Sequence, residues 1–234
     1  MSTPRVVSLV PSVTESLLAW GVTPVACTRF CEQPTLRHVG GTKDPDLDAI
    51  VELAPDLVVL CEEENLLEHH DALVAAGVGC HTVRIDAVTD VPGQLAGIAL
   101  ALGIDVAPVD VPPAGPAAPS VRAFVPIWRR PWMTLSPGTY GSSLLRHLGI
   151  DTLFADATVR YPTTDLDEVA ALRPDVVLLP TEPYPFTDRH LAEWHEIAPV
   201  RLVDGQDLFW WGTRTPAAVA RLRDALADLV GGGR

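Results

Sequence analysis

The chain has 234 residues, 47% of them hydrophobic and 20% charged, which excludes wholesale disorder and is ample for a sizeable buried core. Seventeen basic residues against thirty acidic ones leave a formal charge of −13, with no basic patch to offset it. A nucleic-acid partner and insertion into a membrane are therefore not expected.

Strands and helices alternate along the chain. Strands are expected near 5–10, 24–28, 57–61 and 80–84, then near 122–127, 176–180 and 200–203. Residues 57–60 and 176–179 are continuously apolar, as strands become when helices cover both sheet faces. The fold class predicted is α/β, with two similar lobes, each a parallel sheet flanked by helices, and a ligand cleft between them. Ser12 and Glu15 stand at capping-box spacing after the first strand, and Ser136 precedes Pro137 as a cap before a proline-initiated helix. Pro108, Pro112, Pro113, Pro116 and Pro119 crowd a stretch that cannot be a continuous helix. The organisation expected is an N-terminal lobe over 1–106, a Pro-rich linker over 107–120 and a C-terminal lobe over 121–234.

An internal repeat ties the lobes together. Residues 47–63 align without a gap to 166–182, pairing Leu47 with Leu166, Asp56 with Asp175 and Glu63 with Glu182. Each copy reads as a short helix, a Pro-Asp turn, an apolar strand and a glutamate beyond it. Ligand sites in open parallel sheets lie beyond the carboxyl ends of the strands, so the loops there are where function is sought.

Twelve of the fourteen aromatic residues lie at or after Phe124, and Trp132, Tyr140, Tyr184, Phe186, Trp210 and Trp211 fall among prolines and glycines on this strand map. Such rings suit a flat apolar macrocycle, with Arg129, Arg130 or Arg214 available for carboxylate or phosphate groups. No Gly-rich phosphate loop, nucleophile elbow or His-Glu-x-x-His helix occurs. No catalytic residue, resident metal or built-in cofactor is assigned. His147, Cys31 and His38 are the candidate axial ligands for a metal centre carried by the ligand. The four cysteines, Cys27, Cys31, Cys61 and Cys80, show no zinc spacing and read as buried apolar thiols. With a strand starting at Arg5 and no leader before it, the expected location is cytoplasmic, unless a leader has been removed.

Residues 5–15, 39–50 and 54–59 resemble, in order and spacing, the first lobe of the helical-backbone metal receptors, the class III substrate-binding proteins of cobalamin, haem and ferric-siderophore uptake. Residues 128–133, 182–186 and 211–215 resemble the cobalamin-binding branch, so the similarity spans nearly the whole chain. Two departures stand out: the Pro-rich stretch replaces the family's long interlobe helix, and no export signal precedes the first strand. The resemblance implies non-catalytic binding of a corrinoid, or a related metal chelate such as a ferric siderophore or haem, in an interlobe cleft. The ligand contacts expected are Pro11, Ser12 and Phe30 on the first lobe, with Arg129, Trp132, Tyr140, Tyr184, Phe186 and Trp211 on the second. It further implies that Glu63 and Glu182 dock onto arginines of an ABC transporter permease, or onto a cytoplasmic acceptor if no permease is reached. The alternative is a chelatase-like enzyme acting on a tetrapyrrole or metal centre.

Overall fold

The computed structural model describes residues 4–115, 118 and 121–231. The chain divides into two compact units: residues up to Ile85 with Asp90–Asp110, and Asp86–Thr89 with everything from Val111 onward. The division falls inside the predicted linker, of which Pro116, Ala117, Pro119 and Ser120 lie outside the described residues.

The first unit runs β1 (Val6–Ser8), α1 (Pro11–Ala19), β2 (Ala26–Cys27), α2 (Leu47–Glu52), β3 (Leu57–Cys61), α3 (Leu67–Ala75), β4 (Cys80–Val83) and α4 (Val91–Leu102). Its strands pair in parallel in the order β2-β1-β3-β4. Alternate residues of β1 and β3 and their continuations, Val7 and Leu9, Val58 and Leu60, join Ile50 of α2 and Leu73 of α3 in one buried cluster, as the two-residue period of a strand requires. Central β3 is buried along its whole length.

The second unit runs β5 (Val121–Phe124), β6 (Pro126–Trp128), β7 (Trp132–Thr134), α5 (Tyr140–His147), β8 (Ile150–Thr152), β9 (Thr163–Thr164), α6 (Leu166–Leu172), β10 (Val176–Pro180), β11 (Val200–Val203), α7 (Gly205–Phe209), α8 (Thr215–Ala225) and α9 (Ala227–Gly231). Its parallel sheet has the order β11-β10-β5-β8. Replacing β5, β8, β10 and β11 by β1, β2, β3 and β4 gives the first sheet again. A second sheet, β6-β7-β9, is antiparallel.

The repeat is visible down to single hydrogen bonds. Asp46 and Asp165 cap α2 and α6, each accepting from the third backbone N–H of its helix, Ala49 and Glu168. The two helices end at residues with positive φ, Ala54 (43°) and Arg173 (50°), where the chain reverses into the central strand. Asp56 and Asp175 then accept from the backbone N–H of Arg5 and Arg122, both at 2.7 Å. The guanidinium of each arginine reaches back to a helix-end carbonyl, Leu53 at 2.6 Å and Leu172 at 3.1 Å. Helix end, turn and first strand are thus closed by the same aspartate–arginine corner in both units.

Several local expectations are corrected. Ser12 does not cap α1: the helix starts at Pro11 after Val10, with no side-chain cap, because a proline at the first helical position has no N–H to satisfy. The helix after Pro137 starts at Tyr140, capped by Thr139, whose hydroxyl accepts from the Ser142 N–H. The strand expected over 122–127 divides into β5 and β6. Pro126, lacking an N–H, opens an edge strand of the smaller sheet. Trp132 and Tyr140, expected in loops, begin β7 and α5.

After α4, Gly103 adopts the left-handed conformation (φ 65°) that ends a helix. No regular structure follows among the described residues of 104–115. Pro112 and Pro113 are nevertheless held, because their carbonyls accept from His147 Nε2 and from Arg223, both at 2.7 Å. Gly115 N–H also donates to the His147 carbonyl. This leaves 105–111 as the weakest part of the stretch, with exposed Asp105 and Asp110 in it. Limited digestion with an Asp-specific endopeptidase should cut first at these two residues. First cuts inside either unit would refute a weak seam there.

Candidate functional site

In each unit the loops beyond the carboxyl ends of the parallel strands form the candidate rim. In the first unit these follow β1, β2 and β3. Buried Asn65 knits them together: its side-chain oxygen accepts from the Cys61 N–H at 2.8 Å, and its amide donates to the Thr42 carbonyl at 2.9 Å and to Leu9 at 3.5 Å. Lys43, the chain's one lysine, donates to the Glu63 carbonyl at 2.7 Å. Pro11 and Ser12 are buried in the first turn of α1, and the Ser12 carbonyl accepts from Ser16 Oγ. Phe30 is 50% exposed, with the Arg29 guanidinium 4.8 Å from its ring centre.

The rim of the second unit is aromatic. Trp132 stacks on Phe186, with ring centres 6.1 Å apart and planes 10° from parallel, and meets Trp194 edge-on at 4.8 Å. Tyr184 lies against Phe186 at 4.7 Å and receives Trp128 edge-on at 5.6 Å. Beneath, Phe186 and Trp194 join Phe124, Val177 and Leu179 in the core cluster of the sheet. The result is a shelf whose lower rings are core, whose middle rings (Trp132, Tyr184) are half-buried, and whose outer ring, Trp128, is 46% exposed. Offset and edge-on contacts of this kind add about 0.5–1.5 kcal/mol per pair beyond the area they bury.

Arg129 supports the shelf from the side. It donates to Glu193 through Nε at 3.1 Å and a terminal nitrogen at 2.9 Å, and lies 5.8 Å from the Trp132 ring centre. The Glu193 carboxylate beside it holds its pKa above the usual guanidinium value. Expected as an anchor for ligand anions, Arg129 is engaged within the unit, whereas Arg130 next to it is exposed.

Three of the expected contact rings are buried. Phe186 is 1% exposed, and Tyr140 and Trp211 are each 4% exposed. The Tyr140 hydroxyl lies 3.2 Å from Thr215 Oγ1, and burial pushes its pKa up to about 12. Arg214 lies over Trp210 at 5.5 Å and reaches Gln206 at 3.3 Å and Asp207 at 3.5 Å. His38 and His147 direct Nε2 at the carbonyls of Gln33 and Pro112, and Cys31 is held by threonine hydroxyls.

Glu63 and Glu182 each stand two residues beyond the end of a central strand, β3 and β10, the equivalence the gapless repeat requires. Both are half-buried. Glu182 lies so close to α7 that a Cβ on Gly205 would stand 2.5 Å from its Cγ.

Sequence reasoning passed over Trp128, Glu193 and Asn65 as site residues. Trp128 stood in a segment singled out for its aromatics, but its exposure is not written in the sequence. Glu193 carries no local signal, since its partner Arg129 is distant in the chain, and Asn65 reaches Thr42 and Leu9 only through the fold.

Residues 6–98 match the family described as periplasmic binding protein. The vitamin B12-binding protein of Salmonella paratyphi A is 28% identical over 193 residues, covering 75% of this chain and 72% of that protein. Among solved structures, the periplasmic vitamin B12 binding protein BtuF of Vibrio cholerae superposes with a TM-score of 0.77 at 19% identity, covering 96% of both chains. A periplasmic heme binding protein of Pseudomonas aeruginosa gives 0.75 at 18% identity, covering 95% of this chain and 92% of that one. These matches overturn the cytoplasmic expectation, since the matched family and both solved structures are described as periplasmic. The expectation had rested on the residues before Arg5, which carry no information about export.

Proposed function

We propose, from the match of residues 6–98 to the periplasmic binding protein family, that the chain is a binding protein of that kind and that it binds a cobalamin-like corrinoid for delivery to an ABC transporter permease. It is a binding protein and not an enzyme, which sets aside the chelatase-like alternative. Its relatives support a metal-chelate ligand in general. The vitamin B12-binding name of the Salmonella relative favours a corrinoid within that class.

The observation that carries the reading is the outer edge of the aromatic shelf, where the exposed Trp128 indole is seated against Tyr184 and next to Trp132. A corrin presents a broad apolar face with an amide fringe, which such rings cover without needing a charged partner. Exposed Arg130 is the proposed contact for the nucleotide phosphate of a cobalamin. Pro11, Ser12 and Phe30 are the proposed contacts from the first unit. Because Phe186, Tyr140 and Trp211 are buried, their proposed part is to support the contacting rings from behind.

Calorimetry with cyanocobalamin, haemin and a ferric siderophore tests this. Trp128→Ala should weaken cyanocobalamin binding by about 5- to 150-fold with the melting temperature nearly unchanged. Unchanged affinity in that variant would remove the shelf from the site. Wild-type binding of haemin or the siderophore in place of cyanocobalamin would refute the corrinoid. Glu63 and Glu182 are the proposed permease contacts, so Glu63→Gln/Glu182→Gln should bind ligand normally and fail to pass it to a reconstituted transporter.

A further inference from the structure

Lys43, exposed at the rim of the first unit, rides on a reversal of the chain between Gly40 and Pro45, which pair as an isolated antiparallel bridge. Gly40 has a φ of 84°, and a Cβ there would collide with the Asp44 carbonyl oxygen, so only glycine allows so tight a reversal. One side of it is tied to Arg29, whose N–H donates to the Gly40 carbonyl at 2.9 Å and whose guanidinium donates to both Asp44 carboxylate oxygens, at 3.0 and 3.1 Å. The other side is tied to the chain leaving β3, because the Thr42 carbonyl accepts from the Asn65 amide and Lys43 Nζ donates to the Glu63 carbonyl. Residues 61–65 are themselves closed into a turn, with the Glu64 and Asn65 N–H groups donating to the Cys61 carbonyl at 3.2 and 2.9 Å.

We propose that Lys43 is a positioning residue for Glu63: by holding the Glu63 carbonyl it fixes the backbone from which that carboxylate docks onto a basic partner. This rests on the reading of Glu63 as a permease contact. The comparable glutamate of the second unit is held by other means. There the Gly205 N–H donates to Thr181 Oγ1 at 2.9 Å, and α7 comes so close to the Glu182 backbone that only a glycine fits beside it. The two units use different residues for one result, a pinned backbone under a glutamate. A loop pinned beforehand has less freedom to lose when it binds.

The sign of the effect separates positioning from charge. Lys43 sets a cation against the acidic run of Glu62, Glu63 and Glu64, and a basic partner is repelled by it. On charge alone, removing Lys43 should therefore tighten docking. Loss of positioning should weaken it. Positioning is the larger effect, because the ammonium group is exposed and screened by salt, whereas its hydrogen bond acts directly on the Glu63 backbone.

The test compares the full-length protein with Lys43→Met and Lys43→Arg, by amide hydrogen exchange and by docking to a cobalamin ABC permease in nanodiscs. Lys43→Met should speed exchange at the Glu64 and Asn65 amides by about 3- to 10-fold and weaken docking by a similar factor. Its melting temperature and cyanocobalamin affinity should stay nearly unchanged. Lys43→Arg keeps a cationic donor and should restore both wild-type exchange and wild-type docking. Unchanged exchange across residues 62–65 in Lys43→Met would overturn the proposal. So would docking equal to or tighter than that of the wild type, or a Lys43→Arg protein that behaves like the methionine variant. If the wild type itself does not dock, the permease reading fails, and exchange alone then decides whether Lys43 fixes the Glu63 backbone.

Discussion

Phe186→Ala should destabilise the second unit by about 3–5 kcal/mol, lowering its melting temperature by on the order of 10 °C. The ring is 1% exposed, with Trp132 stacked on one side and Tyr184 and the His190 imidazole against it. Removing it opens a cavity between rings that are fixed by β7 on one side and by the chain leaving β10 on the other, so little of the space can collapse. Phe186→Leu keeps most of the volume and should cost about 1 kcal/mol. Calorimetric melting of both variants, alongside cyanocobalamin affinity, separates the roles. A Phe186→Ala protein that melts normally but has lost its ligand would show that the ring is a contact and not a support.

Asp207→Ala should cost about 2–3 kcal/mol, less than a fully buried ion pair because one of its arginines keeps contact with water. The Asp207 carboxylate is 5% exposed and accepts from Arg221 Nε at 2.7 Å and from a terminal nitrogen of the same guanidinium at 2.6 Å. Arg214, 15% exposed, stands 3.5 Å from the same carboxylate, while Arg221 is 54% exposed. Deleting the carboxylate takes an acidic neighbour from the more buried guanidinium, whereas Arg221→Ala removes only the wetter partner and should cost about 1 kcal/mol. Urea unfolding of the two single variants and the double variant gives the coupling directly. Equal losses for Asp207→Ala and Arg221→Ala would mean that Arg214 takes no part. Because Arg214 lies over Trp210, the tryptophan emission of Asp207→Ala should also shift.

The parallel sheets were legible because their strands announce themselves. Residues 57–61 and 176–180 are unbroken apolar runs after a Pro-Asp turn, and β3 and β10 occupy those residues. The repeat made Glu63 and Glu182 comparable before any coordinates. What escaped was the smaller antiparallel sheet. Its strands, Pro126–Trp128, Trp132–Thr134 and Thr163–Thr164, are two or three residues long and too short to show a period. The aromatic residues were recognised as a group but not sorted: whether a ring such as Phe186 or Trp128 lies inside or outside depends on distant partners such as Trp194. The same blindness hid the engagement of Arg129 by Glu193, 64 positions away.

The two halves agree where the chain must turn back into its sheet and differ where it need not. In the first unit the chain passes from β1 at Ser8 to α1 at Pro11 almost at once, whereas in the second the equivalent passage runs from Phe124 to Tyr140 and contains β6 and β7. Trp128, Arg129 and Trp132 all sit in that inserted ribbon. A doubling accounts for the shared scaffold, and the longer ribbon of the second unit carries the proposed recognition surface. Ligand preference can then drift by rewriting about fifteen residues of one hairpin, a length ordinary for a functional loop, while the arginine–aspartate corners that close each half stay under separate constraint.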